Sequence, residues 1–220
     1  MIRKHVTLIG GYLTPGEALE PIANYLCTSD SVGSVDSFTF LQTMENPYRV
    51  AAAMKNGIAL SDSAGAVALK EALEAGIKSE RQPRQLATCD GPEPRSICQL
   101  GKGLLAMRRN CLAVARSDSP FAGTYARLVD IGTAELRRDP FGYLETLPAV
   151  SRFSTIRLLN DSVEAGIQTT ALVAAEDELF PFAGTSGYHD DVWVHIHEGG
   201  HAKVLAEPEV VLKPWVDTLQ

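Results

Sequence analysis

The sequence predicts a three-layer α/β domain: a mostly parallel sheet of about six strands with helices on both faces and a helical insertion. Three observations carry that expectation. Short apolar runs alternate with helix-period segments along most of the chain. One such run enters a small-residue corner, Gly57-Ile58-Ala59-Leu60-Ser61-Asp62-Ser63-Ala64-Gly65-Ala66-Val67, and an alanine-rich helical run leaves it. Between Glu93 and about Val150 the alternation stops, and it resumes afterwards. The economical description is a single domain over 1–220 with a lid-like helical insertion over 93–150.

Val6 to Ile9 reads as the first strand and ends in Gly10-Gly11-Tyr12-Leu13. Thr14, Pro15 and Glu17 then form a capping box for a helix with Leu19, Ile22 and Leu26 on one face, bent or restarted at Pro21. Val35 to Leu41 is the second strand, and Asn46-Pro47 opens a helix that Asn56-Gly57 closes. After the central corner, Ala64 to Ala75 is a helix with Gly76 just past its end. Gln85 to Cys89 is a short strand. The insertion carries helical pieces at Leu100 to Ala115 and Tyr125 to Leu136, with Leu104, Leu105 and Met107 suggesting an apolar face. Ser-Pro, Asp-Pro and Leu-Pro pairs break it. Ser151 to Ala165 is a helix, Thr170 to Ala175 a buried strand and Val192 to Ile196 the last strand. A closing helical region follows, interrupted at Pro208 and Pro214.

Composition narrows the function classes. With 220 residues and 45% apolar content the chain can bury a substantial core. Its 20 Lys+Arg against 27 Asp+Glu give a formal charge of -7, which argues against nucleic acid or an anionic membrane as the main partner. Cys27, Cys89, Cys98 and Cys111 form no C-x-x-C pair and no dense disulfide pattern, so a reducing, cytoplasmic setting is expected. The opening apolar residues are too few for a secretion signal, and no apolar stretch is long enough to span a bilayer. Gly10-Gly11-Tyr12-Leu13-Thr14-Pro15 does not supply the G-x-G-x-x-G of a dinucleotide site, and no cofactor is expected.

Chemistry is concentrated in three loops. In a parallel sheet with right-handed crossovers every strand ends at one edge, so residues just after strands converge there. Ser63, Asp177 and His201 each follow a predicted strand, in that order. A serine hydroxyl needs a base to become a nucleophile, and an imidazole base needs a carboxylate to hold its tautomer. Asp90 also follows a strand and is the alternative acid. Asp177 has neighbours Glu176 and Glu178, and a solvated loop acid is an open reading for any of the three. His195, His197 and His201 have a spacing compatible with zinc, although ordinary strand histidines are the plainer reading.

Here the chain resembles the α/β-hydrolase superfamily, in its serine esterase and lipase-like branch. The residues that carry the likeness are Ser61-Asp62-Ser63-Ala64-Gly65 as the nucleophile elbow and Gly10-Gly11-Tyr12 as the oxyanion turn. Asp177-Glu178-Leu179-Phe180-Pro181 stands as the acid loop and Gly199-Gly200-His201 as the histidine loop. The resemblance implies Ser63 as nucleophile, His201 as base and Asp177 as orienting acid. It also implies backbone N–H groups of Ala64 and Tyr12 as oxyanion donors, with Leu13 replacing Tyr12 if the first turn is one residue longer. The insertion looks like that family's cap. Ser61 stands where the elbow usually has glycine.

The expected activity is hydrolysis of a small or medium carboxylic ester, thioesters included, with a small-molecule substrate and either a monomer or a homodimer. Three alternatives stay open. They are a lyase or cofactor-free peroxidase on the same fold, an inactive binding protein on that scaffold, and a zinc hydrolase using His195, His197 and His201.

Overall fold

A computed structural model describes residues 3–89 and 91–219. It shows six strands in one sheet: β1 (Lys4–Ile9), β2 (Val32–Phe38), β3 (Ile58–Asp62), β4 (Gln85–Cys89), β5 (Gln168–Ala174) and β6 (Trp193–His197). Their order is β2-β1-β3-β4-β5-β6, and every neighbouring pair is parallel. The chain steps outward from β1 to β2 and then returns to the other side of β1. The strand order therefore reverses between β1 and β3, where the C-terminal ends of an open parallel sheet leave a crevice.

Strand composition follows from burial on both faces. All five residues of β3 are buried, as are the last six of β5, and such strands read as continuous apolar runs. Alternate residues feed two cores. Val6, Leu8, Ile58 and Leu60 pack toward α1 (Gly16–Cys27) and α10 (Pro208–Val216). Ala59, Leu86, Ala171 and Val173 pack on the other side, with α3 (Pro47–Met54), α4 (Gly65–Lys78) and α8 (Thr155–Glu164).

Between β4 and α8 lie α5 (Ile97–Ala115), α6 (Ala122–Arg138) and α7 (Pro140–Arg152). Leu104 and Met107 pack against the core of the sheet's α4 side, whereas Leu105 is 72% exposed. After β6 come the short α9 (Lys203–Ala206), α10 and a closing 3-10 turn (Asp217–Leu219). Among the described residues no helix is long and apolar enough to cross a membrane.

Several local expectations change. Thr14 does not cap α1: the helix starts at Gly16 without a side-chain cap, because the Thr14 hydroxyl donates to Asp62 instead. The helix also runs unbroken through Pro21. β2 covers 32–38 rather than 35–41, since the Thr39 hydroxyl accepts the Gln42 N–H and opens a short helix, α2 (Phe40–Glu45). α4 continues past Gly76 to Lys78. The breaks at Ser119-Pro120 and Asp139-Pro140 fall at the junctions between helices, but the one expected at Leu147-Pro148 does not: α7, capped by Asp139, is continuous through Pro148, so that Ser151 and Arg152 end it and Phe153 lies between helices.

Candidate active site

The corner at Ser63 is a strand-to-helix turn held in an unusual backbone state. Ser63 has φ +52°, the left-handed region that a side chain adopts only under constraint. Two packing facts impose it. The Ser63 N–H is bonded to the Cys89 carbonyl on β4 at 2.7 Å. α4 begins two residues later and approaches β1 closely: a Cβ on Gly65 would lie 2.6 Å from the Ile9 carbonyl oxygen, a backbone atom that cannot move aside. Glycine is therefore required there. Ser61, where the elbow pattern has glycine, is buried, and its hydroxyl has no hydrogen-bond partner among the described residues.

Above this corner the other two loops arrive. Asp177 lies just beyond β5, with 4% of its surface exposed. Its Oδ1 accepts the N–H groups of Leu179 and Phe180, both at 2.7 Å, which fixes the carboxylate. Its Oδ2 is 2.8 Å from His201 Nδ1, and His201 Nε2 is 2.8 Å from Ser63 Oγ. Gly199, at φ +99°, makes the turn that delivers His201, and the Phe180 ring meets the imidazole edge-on at 5.5 Å. Burial alone would raise the Asp177 carboxyl. The facing His201 imidazolium, the hydrogen bond to it and the two backbone donors outweigh burial and hold it below the usual carboxylate range.

The structure thus brings Ser63, His201 and Asp177 into one hydrogen-bonded line. Tyr12 and Ala64 border the same cavity, and so does Leu13. Ala64 immediately precedes α4, and in that first turn the N–H groups of Ala66 and Val67 are taken by the Ser63 and Ala64 carbonyls at 3.2 and 3.0 Å. The Tyr12 ring packs edge-on against Phe40, with centroids 5.1 Å apart. Asp90 lies outside the described residues.

The zinc alternative does not assemble among the described residues, and one of the loop acids has structural partners. His195 and His197 do not join His201 in a metal site: both nitrogens of the His201 ring are taken up by Asp177 and Ser63. His195 instead lies tilted against Trp193, and burial pushes the His197 imidazole down. Among the described residues no group of three or more His, Cys, Asp or Glu is arranged to hold a metal ion. Glu178 is also more than a solvated acid. Its Oε2 accepts the His201 N–H at 3.0 Å and its Oε1 the side-chain amide of Asn110 on α5 at 2.6 Å, tying the insertion to the histidine loop. Nothing local in the sequence marks that role, because both partners are distant in the chain.

The cavity above Ser63 has a volume of about 340 Å³. Its walls are apolar, with Leu100, Leu104, Met107, Leu147, Val150 and Phe180 prominent, and most of these come from the inserted helices. Arg95 ties the start of the insertion to the acid loop by donating to the Leu179 carbonyl.

These features define the α/β-hydrolase fold, and the chain has it. Its structure is similar to a carboxylesterase of the ammonia-oxidising thaumarchaeon Nitrososphaera gargenis, with TM-score 0.66 and 12% identity over 99% of this chain and 91% of that one. It is likewise similar to a thermophilic esterase from Thermogutta terrifontis, with TM-score 0.62 and 16% identity over 98% and 90%. Polyneuridine aldehyde esterase matches over 100% of both chains with TM-score 0.61 and 16% identity. At the level of sequence, no family model and no curated protein matches the chain.

Proposed function

We propose that the protein is a serine hydrolase that cleaves small or medium carboxylic esters, thioesters included, through an acyl-serine intermediate. One observation carries this reading: the Ser63 hydroxyl, the His201 ring and the Asp177 carboxylate stand at successive 2.8 Å separations at the floor of an apolar cavity. The fold is shared with esterases, which is consistent with it.

In the proposed cycle Ser63 Oγ attacks the ester carbonyl while His201 Nε2 takes its proton. Asp177 stabilises the resulting imidazolium and keeps Nδ1 protonated. Backbone N–H groups of Ala64 and Tyr12 receive the negative charge that develops on the carbonyl oxygen. His201 then protonates the departing alcohol or thiol. In the second half it deprotonates a water that attacks the acyl carbonyl, then gives that proton to Ser63 Oγ as the bond to the acyl group breaks and the acid leaves. The inserted helices, 93–150, act as a cap that supplies the apolar walls and excludes bulk water.

The deciding experiment is labelling of the folded protein with a fluorophosphonate, with the modified residue mapped by mass spectrometry. Labelling at Ser63, together with loss of ester hydrolysis in Ser63→Ala, is the expected result. A folded protein that does not label at Ser63, or a Ser63→Ala variant that keeps the full rate, rejects the proposal.

A further inference from the structure

The proposed reaction gives no task to Asp62. This residue ends β3 immediately before Ser63, is 1% exposed, and borders the same cavity. Its Oδ2 accepts the Thr14 hydroxyl at 3.3 Å, and its Oδ1 is buried without a hydrogen-bond partner among the described residues. A buried carboxyl with an unpaired oxygen is costly to hold.

Its surroundings point to a role. Thr14 closes the turn that carries Tyr12, through its own N–H on the Gly11 carbonyl at 3.1 Å. That turn is pressed against the elbow: a Cβ on Gly11 would lie 3.1 Å from the Asp62 carbonyl oxygen, 3.1 Å from Ser63 Cβ and 3.2 Å from Thr14 Oγ1. The Thr14–Asp62 hydrogen bond is therefore a side-chain tie between the turn with Tyr12 and the corner with Ser63. Three separate loops bear on the carboxyl: Thr14 after β1 bonds it, His201 after β6 borders the same cavity, and the charges of His201 and of Asp177 after β5 act on it.

We propose that Asp62 is a positioning residue of the site, which anchors the Tyr12 turn through Thr14 and, once ionised, sets a second negative charge beside the His201 imidazolium. This rests on the serine-hydrolase reading. Burial pushes the Asp62 carboxyl up to about 6, against the pull of the His201 imidazolium and the Thr14 hydroxyl, while the Asp177 charge adds to the push. Asp62 therefore changes charge in the pH range where an imidazole base changes its own. Ionised Asp62 favours the protonated ring. Neutral Asp62 does not.

The test compares Asp62→Asn, Thr14→Val and Thr14→Ser with the wild type, using two readouts: the NMR titration of the His201 ring and the pH profile of kcat/KM on a short soluble ester. In Asp62→Asn the ring titrates at lower pH, and the acidic limb of the profile moves the same way. The ratio of variant to wild-type kcat/KM is then roughly two- to fivefold larger at pH 6.5 than at pH 8.5. Thr14→Val removes the donor that favours ionised Asp62 and gives a smaller displacement of the same sign. Thr14→Ser keeps the hydroxyl and restores the wild-type profile. A ring titration and pH profile in Asp62→Asn that superimpose on the wild type, apart from a constant factor, overturn the proposal. If Asp62→Asn does not fold, by circular dichroism, Thr14→Val decides on the same criteria. Should the ester be cleaved independently of Ser63, the hydrolase reading fails, and the His201 titration still tests the role of Asp62.

Discussion

His201 Nε2 lies 2.8 Å from Ser63 Oγ, although 138 residues separate the two in the chain. The contact exists because β3 and β6 run parallel in one sheet, so that the loops after them open at the same edge. Under the proposed mechanism His201 moves a proton in both half-reactions. His201→Gln is therefore expected to fold and to lose roughly 10⁴-fold or more in kcat on a short ester. Fluorophosphonate labelling of Ser63 slows in parallel. A variant that keeps a tenth of the wild-type rate speaks against His201 as the base.

The left-handed backbone at Ser63 makes a separate prediction about stability. A non-glycine residue in that region costs about 1–2 kcal/mol, which glycine avoids. Ser63→Ala and Ser63→Gly both lose the hydroxyl and its bond to His201, but only Ser63→Gly relieves the strain at φ +52°. Ser63→Gly is expected to exceed Ser63→Ala in unfolding free energy by about 1 kcal/mol in urea titrations. Equal stabilities show that the corner carries no such strain.

Two buried acids give the stability curve opposite slopes in neighbouring pH windows. Asp177 is held below the usual carboxylate range, so its contribution is present above the unfolded value of about 4 and is lost as pH falls through the folded one. Asp62 is raised to about 6, so its contribution is present below about 4 and is lost as pH rises toward 6. Asp177→Asn should flatten the acid loss below pH 4. Asp62→Asn should remove a decline between about pH 4 and 6. Thermal melts from pH 3 to 8 separate the two. Asp177→Asn is also expected to lower kcat by roughly 10⁴-fold, because an amide does not hold the same imidazole tautomer.

The elements that proved legible in the sequence are those whose cause is local. β4 at 85–89 is bounded as its apolar run suggests, and Asn46-Pro47 opens α3 because an Asn side chain accepts the Arg49 N–H ahead of a proline at the first helical position. The order Ser63, Asp177, His201 was readable because each residue sits beside a strand end that its neighbours reveal. What local pattern misassigned is settled by distant partners. Thr14 looks like a helix cap in isolation, yet Asp62, 48 residues away, takes its hydroxyl. Glu178 looks solvated until Asn110 and the His201 N–H are brought to it. In α7, Pro148 lies within the helix although Leu-Pro reads as a break; tertiary packing of Leu147 and Val150 holds that turn together.

The cavity makes the last prediction, which concerns substrate length. Its walls are apolar and its volume is about 340 Å³, so each methylene that leaves water for the cavity gains about 0.8 kcal/mol. Realised in the transition state, that is about a fourfold rise in kcat/KM per added carbon. The rise should stop where the cavity is full and reverse beyond it, since packed walls resist further atoms. Two homologous series, one extended on the acyl side and one on the alcohol side, identify which half of the ester occupies the space. Leu104 lines the cavity from α5 and packs on the core, so Leu104→Trp takes up volume there. It should move the break to shorter chains in the series that uses the cavity and leave the other series unchanged. A kcat/KM that is flat with length in both series rules out the cavity as the substrate pocket, whatever the outcome at Ser63.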